Sequence, residues 1–581
     1  MRHAGVPGLA FVVALAMTVL CAADASLALA RGLSSPPGTR YAKVRELCPP
    51  PRRGDATCFA LALVPASSST ADAHSYRAGS GASSSGPAGG LTPGELANAY
   101  GYSPSLGGAG QTVAIVDAYD DPNIEGDLGT FDSEYGLAAC TTANGCFEKV
   151  GQTGSTTSLP APDTVGWSAE MALDVETVHS VCSSCKIVLV EADSESLADL
   201  AASVNEAVSL GANEVSNSYG APETTMGAPE QAAYNHPGVV IAAASGDSGY
   251  LDWDFIAHLI EPPGTPNAPA SLPSVVAVGG TSLKLKANGT RKSEAVWNDS
   301  GPPSGSHFKQ FSATGSGCST LFSAPAWQQG APGWANAACA TKRLDNDISA
   351  VADPYTGFDI YDSYVFEAEF KPGWLTVGGT SLSSPLITAL YALAGGSQGV
   401  SYPAATLYTH LGQASTLYDV VSGGSGYCDG EAAAACGEPA INEEFGDLDC
   451  EGTTSCDAAA GFDGPSGVGS PNGLGAFNGP SGLAPSVVTE TATSVEATSA
   501  VLNATVDPEG SAVSACTFEY GPTTAYGHSA ACSSLPGSGS SAVAVSATVT
   551  GLSAKTTYHF RISATNPSGT GAGKAKKLKT P

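Results

Sequence analysis

The chain has 581 residues, enough for three or four domains of about 150 residues each, and its hydrophobic fraction of 42% excludes a wholly disordered polypeptide. Its formal net charge is −30, so a phosphate backbone would be repelled and nucleic-acid binding is not expected. Such an acidic surface suits an acidic environment, where partial protonation reduces self-repulsion, although it also suits plain solubility outside the cell.

The N-terminus has the pattern of a secretory signal peptide. Arg2 precedes an apolar run over residues 6–23, and Ser26-Leu-Ala-Leu-Ala30 offers a cleavage site with small residues. We therefore expect residues 1–30 to be removed and the protein to be secreted. Cys21 lacks the preceding small residue of a lipoprotein signal, so no lipid anchor is predicted. No other run approaches ~20 apolar residues, so we expect no stable membrane insertion.

The remaining 14 cysteines fall into close couples, which in a secreted chain predicts local disulfides. The couples are Cys48/Cys58, Cys140/Cys146, Cys182/Cys185, Cys318/Cys339, Cys428/Cys436, Cys450/Cys456 and Cys516/Cys532. The C-x-x-C of Cys182 and Cys185 leaves open a redox motif or half a zinc site. Neither alternative has the second C-x-x-C or the spaced His that would support it.

Residues 31–90 form a short N-terminal segment with little periodic pattern. Their last part, Ser67–Gly90, is rich in Ser, Gly and Ala and is typical of a linker. We expect order to begin at Leu91, because Thr92 and Glu95 form the capping box of a helix whose first residue is proline.

Residues 91–482 alternate between strand-like and helix-like segments. The segments are Gln111–Val116, Trp167–Val181, Lys186–Glu191, Leu197–Leu210, Val239–Ser245, Val275–Val278 and Leu375–Val377. Nearly continuous apolar strands between helices predict an α/β domain with a parallel sheet flanked by helices. In such sheets active groups gather at the carboxyl ends of the strands.

The sequence pattern changes at Ser486, where strand-like segments alternate with turns and no helical pattern remains. Residues 486–581 therefore predict a small C-terminal all-β sandwich, in which Tyr558 is the candidate corner tyrosine. The block from Val506-Asp-Pro508 through Cys516-x-Phe-Glu-Tyr-Gly521 to Tyr558-x-Phe-Arg-Ile562 resembles a fibronectin type III domain. Its partner is left unknown.

Two identical hexapeptides, Val-Gly-Gly-Thr-Ser-Leu, contain the candidate nucleophiles. Ser282 is followed by a strand with exposed lysines, whereas Ser381 is followed by an apolar helix. A serine at a tight strand-to-helix turn presents its hydroxyl and lies at the positive end of the helix. We therefore choose Ser381.

A serine nucleophile needs a base, and the sequence offers two candidates. Asp117 and His179 could complete a subtilisin-like triad, but His179 lacks the expected context. Glu170 and Asp174 are four residues apart, which places both carboxyls on one helix face, where burial would couple them. Glu176 lies off that face and is expected to be exposed.

Asp247 follows a strand in Ser-Gly-Asp-Ser-Gly. Subtilisins use an asparagine amide near such a position to stabilise the oxyanion. A carboxyl group can do so only when protonated, because a carboxylate has no hydrogen to donate. A turn aspartate that caps its own loop is the alternative.

The ordered set Glu170-x-x-x-Asp174, Ser-Gly-Asp247-Ser-Gly and Gly-Thr-Ser381-x-x-x-Pro385 resembles the sedolisin family of serine-carboxyl peptidases, over roughly residues 91–480. The resemblance implies a subtilisin-like fold and a monomer that hydrolyses peptides or unfolded proteins, as an endopeptidase or tripeptidyl-peptidase. Ser381 would be the nucleophile, Glu170 the general base, Asp174 its partner and Asp247 the oxyanion acid. Activity is expected near carboxyl pKa values, ~4.

The family also has a calcium site near its C-terminus. Its pattern maps one structural Ca²⁺ onto Asp419, Asp463 and the carbonyls of Val420, Ala459 and Gly461, a set that suits a hard cation. A cysteine-rich insertion, about Gly424 to Ala458, interrupts this region. Members of the family usually have a long folded prodomain, whereas only residues 31–90 lie between the predicted signal peptide and Leu91. A catalytically inactive binding or adhesion protein on a peptidase scaffold remains an alternative, as does a His-dependent subtilisin-like protease.

Overall fold

The computed structural model describes residues 42–65, 86–252, 264–299, 312–364, 372–426, 428–429, 440–441, 450–479, 484–508, 513, 515–537, 539, 541–566 and 569–581. The predicted signal peptide, most of the predicted linker and most of the cysteine-rich insertion lie outside these residues. The chain divides into two compact units, residues 1–42 with 65–78 and residues 43–64 with 79–581. Almost all of the first unit lies outside the described residues, and the second contains every feature discussed below.

The α-helices of the described residues are α1 (Pro93–Tyr100), α2 (Ile124–Tyr135), α3 (Trp167–Val181), α4 (Leu197–Ser209), α5 (Ala228–Ala233), α6 (Ala326–Gln329), α7 (Thr380–Ala394) and α8 (Ala404–Tyr408). The strands are β1 (Ala42–Glu46), β2 (Thr57–Cys58), β3 (Leu61–Pro65), β4 (Thr112–Ala118), β5 (Phe147–Gly151), β6 (Lys186–Ala192), β7 (Glu214–Asn217), β8 (Tyr219–Pro222), β9 (Val240–Ala244), β10 (Ser248–Tyr250), β11 (Asn267–Ala268), β12 (Val276–Leu285), β13 (Arg291–Val296), β14 (Ala313–Ser316), β15 (Cys318–Ser323), β16 (Lys342–Leu344), β17 (Ile348–Val351), β18 (Phe358–Asp362), β19 (Gly373–Gly378), β20 (Leu417–Tyr418), β21 (Cys428–Asp429), β22 (Ala440–Ile441), β23 (Ser470–Pro471), β24 (Ser486–Thr489), β25 (Ser499–Asp507), β26 (Ala515–Gly521), β27 (His528–Ala531), β28 (Val543–Thr550), β29 (Thr557–Asn566), β30 (Gly569–Ala572) and β31 (Lys576–Lys579).

An eight-stranded sheet forms the centre of the fold. Its strand order is β13-β12-β9-β7-β4-β6-β5, with β17 paired to β12. All pairs are parallel except that of β12 with β13. The central strands are apolar and buried because helices cover the sheet. The predicted α/β class is therefore confirmed.

One predicted strand of this sheet lies elsewhere. The segment Leu375–Val377 belongs to β19, which pairs antiparallel with β18 and β3 in a separate sheet of order β1-β3-β19-β18. Its apolar run resembles a central parallel strand, and the run alone does not say which strands it pairs with. This second sheet leads directly into α7.

Helices α3 and α7 pack against each other beside the central sheet. Every residue of α3 is buried, including its acidic and polar side chains. A helix buried on all sides belongs to the interior of a large domain. The expectation that Glu176 is exposed was therefore wrong, because α3 is enclosed and has no solvent face.

The N-terminal segment contains three strands within residues 42–65, well before the predicted start of order at Leu91. β1 and β3 extend the second sheet, and β2 pairs antiparallel with β8. β2 and β3 are two and five residues long and pair with strands more than 150 residues away, while β1 lies next to β3. Such short, non-local pairings leave no periodic pattern in the local sequence, which is why the segment was expected to be irregular.

Six of the predicted disulfides are present among the described residues. They are Cys48–Cys58, Cys140–Cys146, Cys182–Cys185, Cys318–Cys339, Cys450–Cys456 and Cys516–Cys532. The seventh couple includes Cys436, which lies outside the described residues. Since Cys182 and Cys185 are bonded to each other, the zinc alternative for them is wrong.

The C-terminal region consists of antiparallel sheets. One has the order β24-β25-β28 and the other β27-β26-β29-β30, with β31 paired to β29. They share a separate apolar core that includes Leu502, Phe518 and Phe560. The hydroxyl of Tyr558 accepts a hydrogen bond of 2.9 Å from the N–H of Ser553, as a corner tyrosine does. The relation to fibronectin type III domains stays a prediction.

No helix of the described residues is long and apolar enough to cross a membrane.

Candidate active site

Ser381 lies in the first turn of α7, immediately after the turn that follows β19. Gly379 forms that turn with a φ of 94°, and an added Cβ there would lie 1.9 Å from the carbonyl oxygen of Phe59. Glycine is therefore required both for the backbone conformation and for the space. The first N–H groups of a helix have no partner within it, and that of Ser381 donates to the Phe59 carbonyl at 3.2 Å.

Ser282, in the identical hexapeptide, lies within β12 opposite Ala295 of β13. No helix follows it, so its hydroxyl does not meet a helix N-terminus. The two identical hexapeptides thus lie in different environments, one in a strand and one at the start of a helix, and the choice of Ser381 as the nucleophile stays a prediction.

The two carboxyls of α3 lie beside Ser381 in a fully buried cluster. Both oxygens of Asp174 accept hydrogen bonds from the hydroxyl of Ser218, at 2.8 and 2.9 Å. Neither oxygen of Glu170 accepts a hydrogen bond. The hydroxyl of Ser381 donates instead to the Ser218 carbonyl oxygen, at 3.1 Å. Glu170 is thus a neighbouring group with free acceptor capacity.

Burial governs the ionisation of this cluster. It raises the pKa of Glu170 well above the ordinary value, the charges of Asp174 and Asp117 raise it further, and the Ser381 hydroxyl opposes the rise. Burial and Asp117 also raise the pKa of Asp174, against the effect of the Ser218 hydroxyl. Burial raises the pKa of Asp117 to about 8. The three carboxyls therefore titrate as one coupled group, in which the gain or loss of each proton depends on the charge of the others.

Asp247 contacts the start of α7, at the residue before Ser381. Its Oδ1 accepts hydrogen bonds from the Thr380 N–H at 2.7 Å and the Thr380 hydroxyl at 2.8 Å. Its Oδ2 is buried and accepts none. Burial raises the pKa of Asp247 well above its usual range, although the Thr380 bonds oppose this. A protonated Oδ2 is a hydrogen-bond donor near the Phe59 carbonyl, since both lie around Gly379.

Residues 57–59 of the same chain occupy the cleft above Ser381. The Phe59 N–H lies 3.2 Å from the Ser218 carbonyl oxygen and 3.1 Å from Oγ of Ser381. Thr57 and Cys58 pair antiparallel with Gly220 and Tyr219 of β8. A peptide bond of the chain itself is thereby held in extended conformation against the candidate nucleophile.

The Phe59 ring lies over the backbone of Gly220. A Cβ added to Gly220 would be 2.8 Å from ring atoms Cε2 and Cζ, closer than non-bonded carbons approach. Asn267 lies beside the same point. The absence of a side chain at position 220 thus creates the room for an aromatic ring.

His179 does not join the cluster. Its Nε2 lies 2.9 Å from the Ala138 carbonyl oxygen and 3.1 Å from Oδ1 of Asp132. It is nine residues beyond Glu170, which at about 100° per residue places it on the opposite side of α3. The geometry excludes the triad of Asp117, His179 and Ser381.

Glu176 is buried and also has a structural contact. Its Oε2 accepts a hydrogen bond of 2.9 Å from the N–H of Tyr361, at the neighbouring strand β18. Burial raises its pKa well above the ordinary value. It ties α3 to the second sheet and lies apart from Ser381.

The predicted calcium ligands lie in one loop region. Gly461 donates its N–H to both oxygens of Asp419 at 3.1 Å, and Asp463 accepts hydrogen bonds from Ala459 and Ser466. Burial raises the pKa of Asp463 to about 7, and the charge of Asp419 adds to this. Two adjacent carboxyls, one of them buried, form a donor set that fits a hard cation. Val420, the remaining predicted ligand, is buried next to Asp419.

Several residues of this site were not assigned a role from the sequence. Ser218 bonds Asp174 and orients Ser381, Thr380 holds Asp247, and Phe59 with Gly220 forms the contact in the cleft. Ser218 follows the carboxyl end of β7, where functional side chains are expected in a parallel sheet. Phe59 carries no such signal.

A serine beside buried carboxyl groups is the arrangement that the resemblance to serine-carboxyl peptidases implies, and comparisons with known proteins bear on that resemblance. Kumamolisin from Bacillus sp. (strain MN-32) is 32% identical over 336 residues, 55% of this chain and 54% of that protein. Sedolisin from Pseudomonas sp. (strain 101) is 29% identical over 360 residues, 59% and 57% respectively. The chain therefore spans little more than half the length of these relatives.

The fold has a matching solved structure. Pseudomonas sedolisin, a serine-carboxyl proteinase complexed with two molecules of pseudo-iodotyrostatin, superposes with a TM-score of 0.51 and 27% identity. The match covers 67% of this chain and 96% of that one. No protein-family model matches the sequence. The curated relatives and this structure thus show that the chain is similar to peptidases of the sedolisin family.

Proposed function

We propose that the protein is a secreted peptidase that hydrolyses peptide bonds at acidic pH. Ser381 is the nucleophile, Glu170 the general base, Asp174 its orienting partner and Asp247 the oxyanion acid. The observation that carries the proposal is the contact between Ser381 and the Phe59 peptide, because it is the contact a substrate would make.

The reaction would begin with attack of the Ser381 hydroxyl on the substrate carbonyl carbon. The hydroxyl proton, now directed at the Ser218 carbonyl oxygen, passes to the free oxygens of Glu170. Glu170 returns it to the leaving nitrogen, the C–N bond breaks, and an ester with Ser381 remains. Water then attacks the ester, gives its proton to Glu170 and releases the acid product as Ser381 recovers a proton.

Two donors would stabilise the oxyanion. The Ser381 N–H already points to a peptide carbonyl, and Asp247 supplies the second donor while it is protonated. Loss of one such donor typically lowers kcat about 100- to 1,000-fold. Because burial raises the pKa of Asp247, this proton is retained at acidic pH.

The substrate is a peptide or an unfolded protein in extended conformation. One edge of β8 can pair with an extended peptide, and in this structure β2 occupies that edge by pairing at Thr57 and Cys58. In this arrangement the cleft is filled by the chain itself, so residues 57–60 must move or be cut before another peptide can enter. The lengths of the products released from a long peptide would distinguish endopeptidase from tripeptidyl-peptidase action.

We further propose one structural Ca²⁺ held by Asp419, Asp463 and the carbonyls of Val420, Ala459 and Gly461. The ion would neutralise the two carboxyls, which otherwise repel each other. Its effect is on stability rather than on the chemical step, because no ligand touches Ser381.

Hydrolysis of denatured casein at pH 4 by Ser381→Ala tests the peptidase function. We expect its rate to fall at least 1,000-fold, whereas Ser282→Ala, in the identical hexapeptide, retains wild-type activity. Equal activity of the Ser381 variant would contradict the proposal. Absence of activity in folded wild type with an open cleft would favour the non-catalytic scaffold.

A further inference from the structure

Three carboxyl groups converge in the interior, away from Ser381. Asp121 follows β4, Asp127 lies in the first turn of α2, and Asp362 ends β18. One oxygen of each lies within 4.8 Å of the others, and all three residues are buried. Three elements that are distant in sequence thus place negative charge at one point.

Two oxygens of these carboxyls have no donor. Oδ2 of Asp121 and Oδ2 of Asp362 are buried and accept no hydrogen bond. The Oδ1 atoms are fixed by backbone N–H groups, from Asn123 at 2.8 Å and from Tyr364 at 2.7 Å. Leaving a buried acceptor unsatisfied costs about 1–3 kcal/mol, and more for a charged group, so a further partner is needed.

Asp127 is oriented in the same way. Its Oδ2 accepts hydrogen bonds from the Ser363 N–H at 2.8 Å and the Ser363 hydroxyl at 3.0 Å. All three carboxyls are therefore held from outside the cluster, by residues next to them in sequence or space. Their geometry is set before any ligand arrives.

The neighbouring ammonium forms its ion pairs with carboxyls outside the cluster, although its charge lowers the pKa of Asp121. Lys149 contacts the carboxyl of Asp120, Oε1 of Glu191 at 3.4 Å and the carbonyl oxygen of Asp121 at 2.8 Å. Among the described residues no ion pair reaches the carboxyls of the cluster. Burial raises the pKa of Asp121 to about 8 and that of Asp362 to about 7, and mutual repulsion adds to both.

We propose that Asp121, Asp127 and Asp362 bind a divalent cation of the calcium type, at a site separate from that of Asp463. Calcium takes oxygen ligands at ~2.3–2.6 Å, so two ligands on opposite sides of one ion are up to about 5 Å apart. The three oxygens lie within 4.8 Å of one another, which therefore fits a shared ion. Carbonyl oxygens or water complete its coordination.

The ion would tie the end of β4 to α2 and to the end of β18. Asp362 of β18 pairs with Gly373 of β19, the strand that leads into the helix of Ser381. At low pH protons replace the ion on the carboxyls, whereas at neutral pH the ion removes their repulsion. The site thus stabilises the fold where its carboxyls would otherwise be charged.

Calcium titration of the full chain at pH 7, by calorimetry, tests the proposal. We expect Asp121→Asn/Asp362→Asn to bind one ion fewer than wild type. Glu125→Gln, in the same turn of α2 but outside the cluster, keeps the wild-type number. Asp463→Asn removes the other ion, so the two calcium proposals are scored independently.

Wild-type crystals soaked in terbium, a luminescent and anomalous substitute for calcium, give a test that needs no variant. We expect an anomalous peak within about 2.6 Å of an oxygen of each of Asp121, Asp127 and Asp362. A map without this peak, or unchanged ion number in the double variant, would overturn the proposal. The cluster would then be a set of carboxyls that share protons.

Discussion

The peptide N–H of Phe59 lies 3.1 Å from Oγ of Ser381, and the Phe59 carbonyl oxygen accepts the Ser381 N–H at 3.2 Å. The candidate nucleophile therefore faces the carbonyl group of a residue 322 positions earlier in the chain. The Cys48–Cys58 disulfide fixes the residue just before it. If Ser381 is the nucleophile, this contact predicts which peptide bond would be cut, which side chain before that bond would be preferred and which segment must leave the cleft.

The first prediction concerns self-cleavage. The Phe59 carbonyl is the one presented to Ser381, so acidification should cut the bond between Phe59 and Ala60. N-terminal sequencing should then give Ala-Leu-Ala-Leu, at a rate independent of protein concentration because nucleophile and bond share one chain. Ser381→Ala should stay intact and Ser282→Ala should be cut. The same cut in Ser381→Ala would assign it to another protease.

The second prediction concerns specificity. In Gly220→Ala, the new methyl group would lie 2.8 Å from the position of the aromatic ring. The ratio of kcat/KM for peptides with Phe before the cut to those with Ala there should fall about 10- to 100-fold, as expected for one methylene-sized change. Gly129→Ala, on the exposed side of α2 with open space around it and no positive φ, gives the control for a general effect of substitution. An unchanged ratio would mean that Phe59 does not mark the subsite.

The third prediction concerns Asp247. Its carboxyl donates only when protonated, so activity should fall as the pH rises through its raised pKa. In Asp247→Asn the amide donates at every pH, and it can still accept from Thr380. The alkaline limb of the kcat/KM profile should therefore move to higher pH. A limb that does not move would assign the loss of activity to the titration of a group other than Asp247.

The fourth prediction concerns stability without calcium. Burial raises the pKa of Asp463 to about 7 in the folded protein, against ~3.9 when unfolded. Its protonation therefore contributes stability that is complete below ~pH 4 and is lost as the pH rises towards 7. In chelator, the Tm should fall by roughly 5 °C or more over that interval, at ~2–4 °C per kcal/mol for a large domain. Calcium should reverse the fall in wild type. In calcium, the Tm of Asp463→Asn should remain below that of wild type. A wild-type Tm that does not change with calcium would contradict the assigned ion.

The sequence predicts the parts of this molecule that depend on local pattern. The buried strands, the helix of Glu170 and Asp174, and the turn before Ser381 all follow from periodicity and from glycine placement. The local disulfides follow from spacing. The four residues assigned to the peptidase site come together because each lies at or near the carboxyl end of a strand or on the helix packed beside it.

The remaining features depend on pairings between distant parts of the chain. β3 pairs with β19 and β2 with β8, so the position of Phe59 is fixed by strands more than 150 residues away. Glu176 was expected in solvent because it lies off the helix face of Glu170 and Asp174. The spacing within that helix does not show that α3 is enclosed on every side. Asp121, Asp127 and Asp362 likewise belong to three separate elements. No window of sequence contains such a neighbourhood.

The central claim is that a carboxyl group, not a histidine, activates Ser381. The direct measurement is the hydrolysis of denatured casein from pH 2 to 9 by processed wild type, Glu170→Gln, Glu176→Gln and His179→Gln. Glu176 is the matched control, a buried glutamate of the same helix that lies apart from the nucleophile. We predict an acidic optimum that Glu170→Gln reduces at least 1,000-fold and the other two variants retain. Activity near neutral pH that survives Glu170→Gln and disappears in His179→Gln would contradict the account.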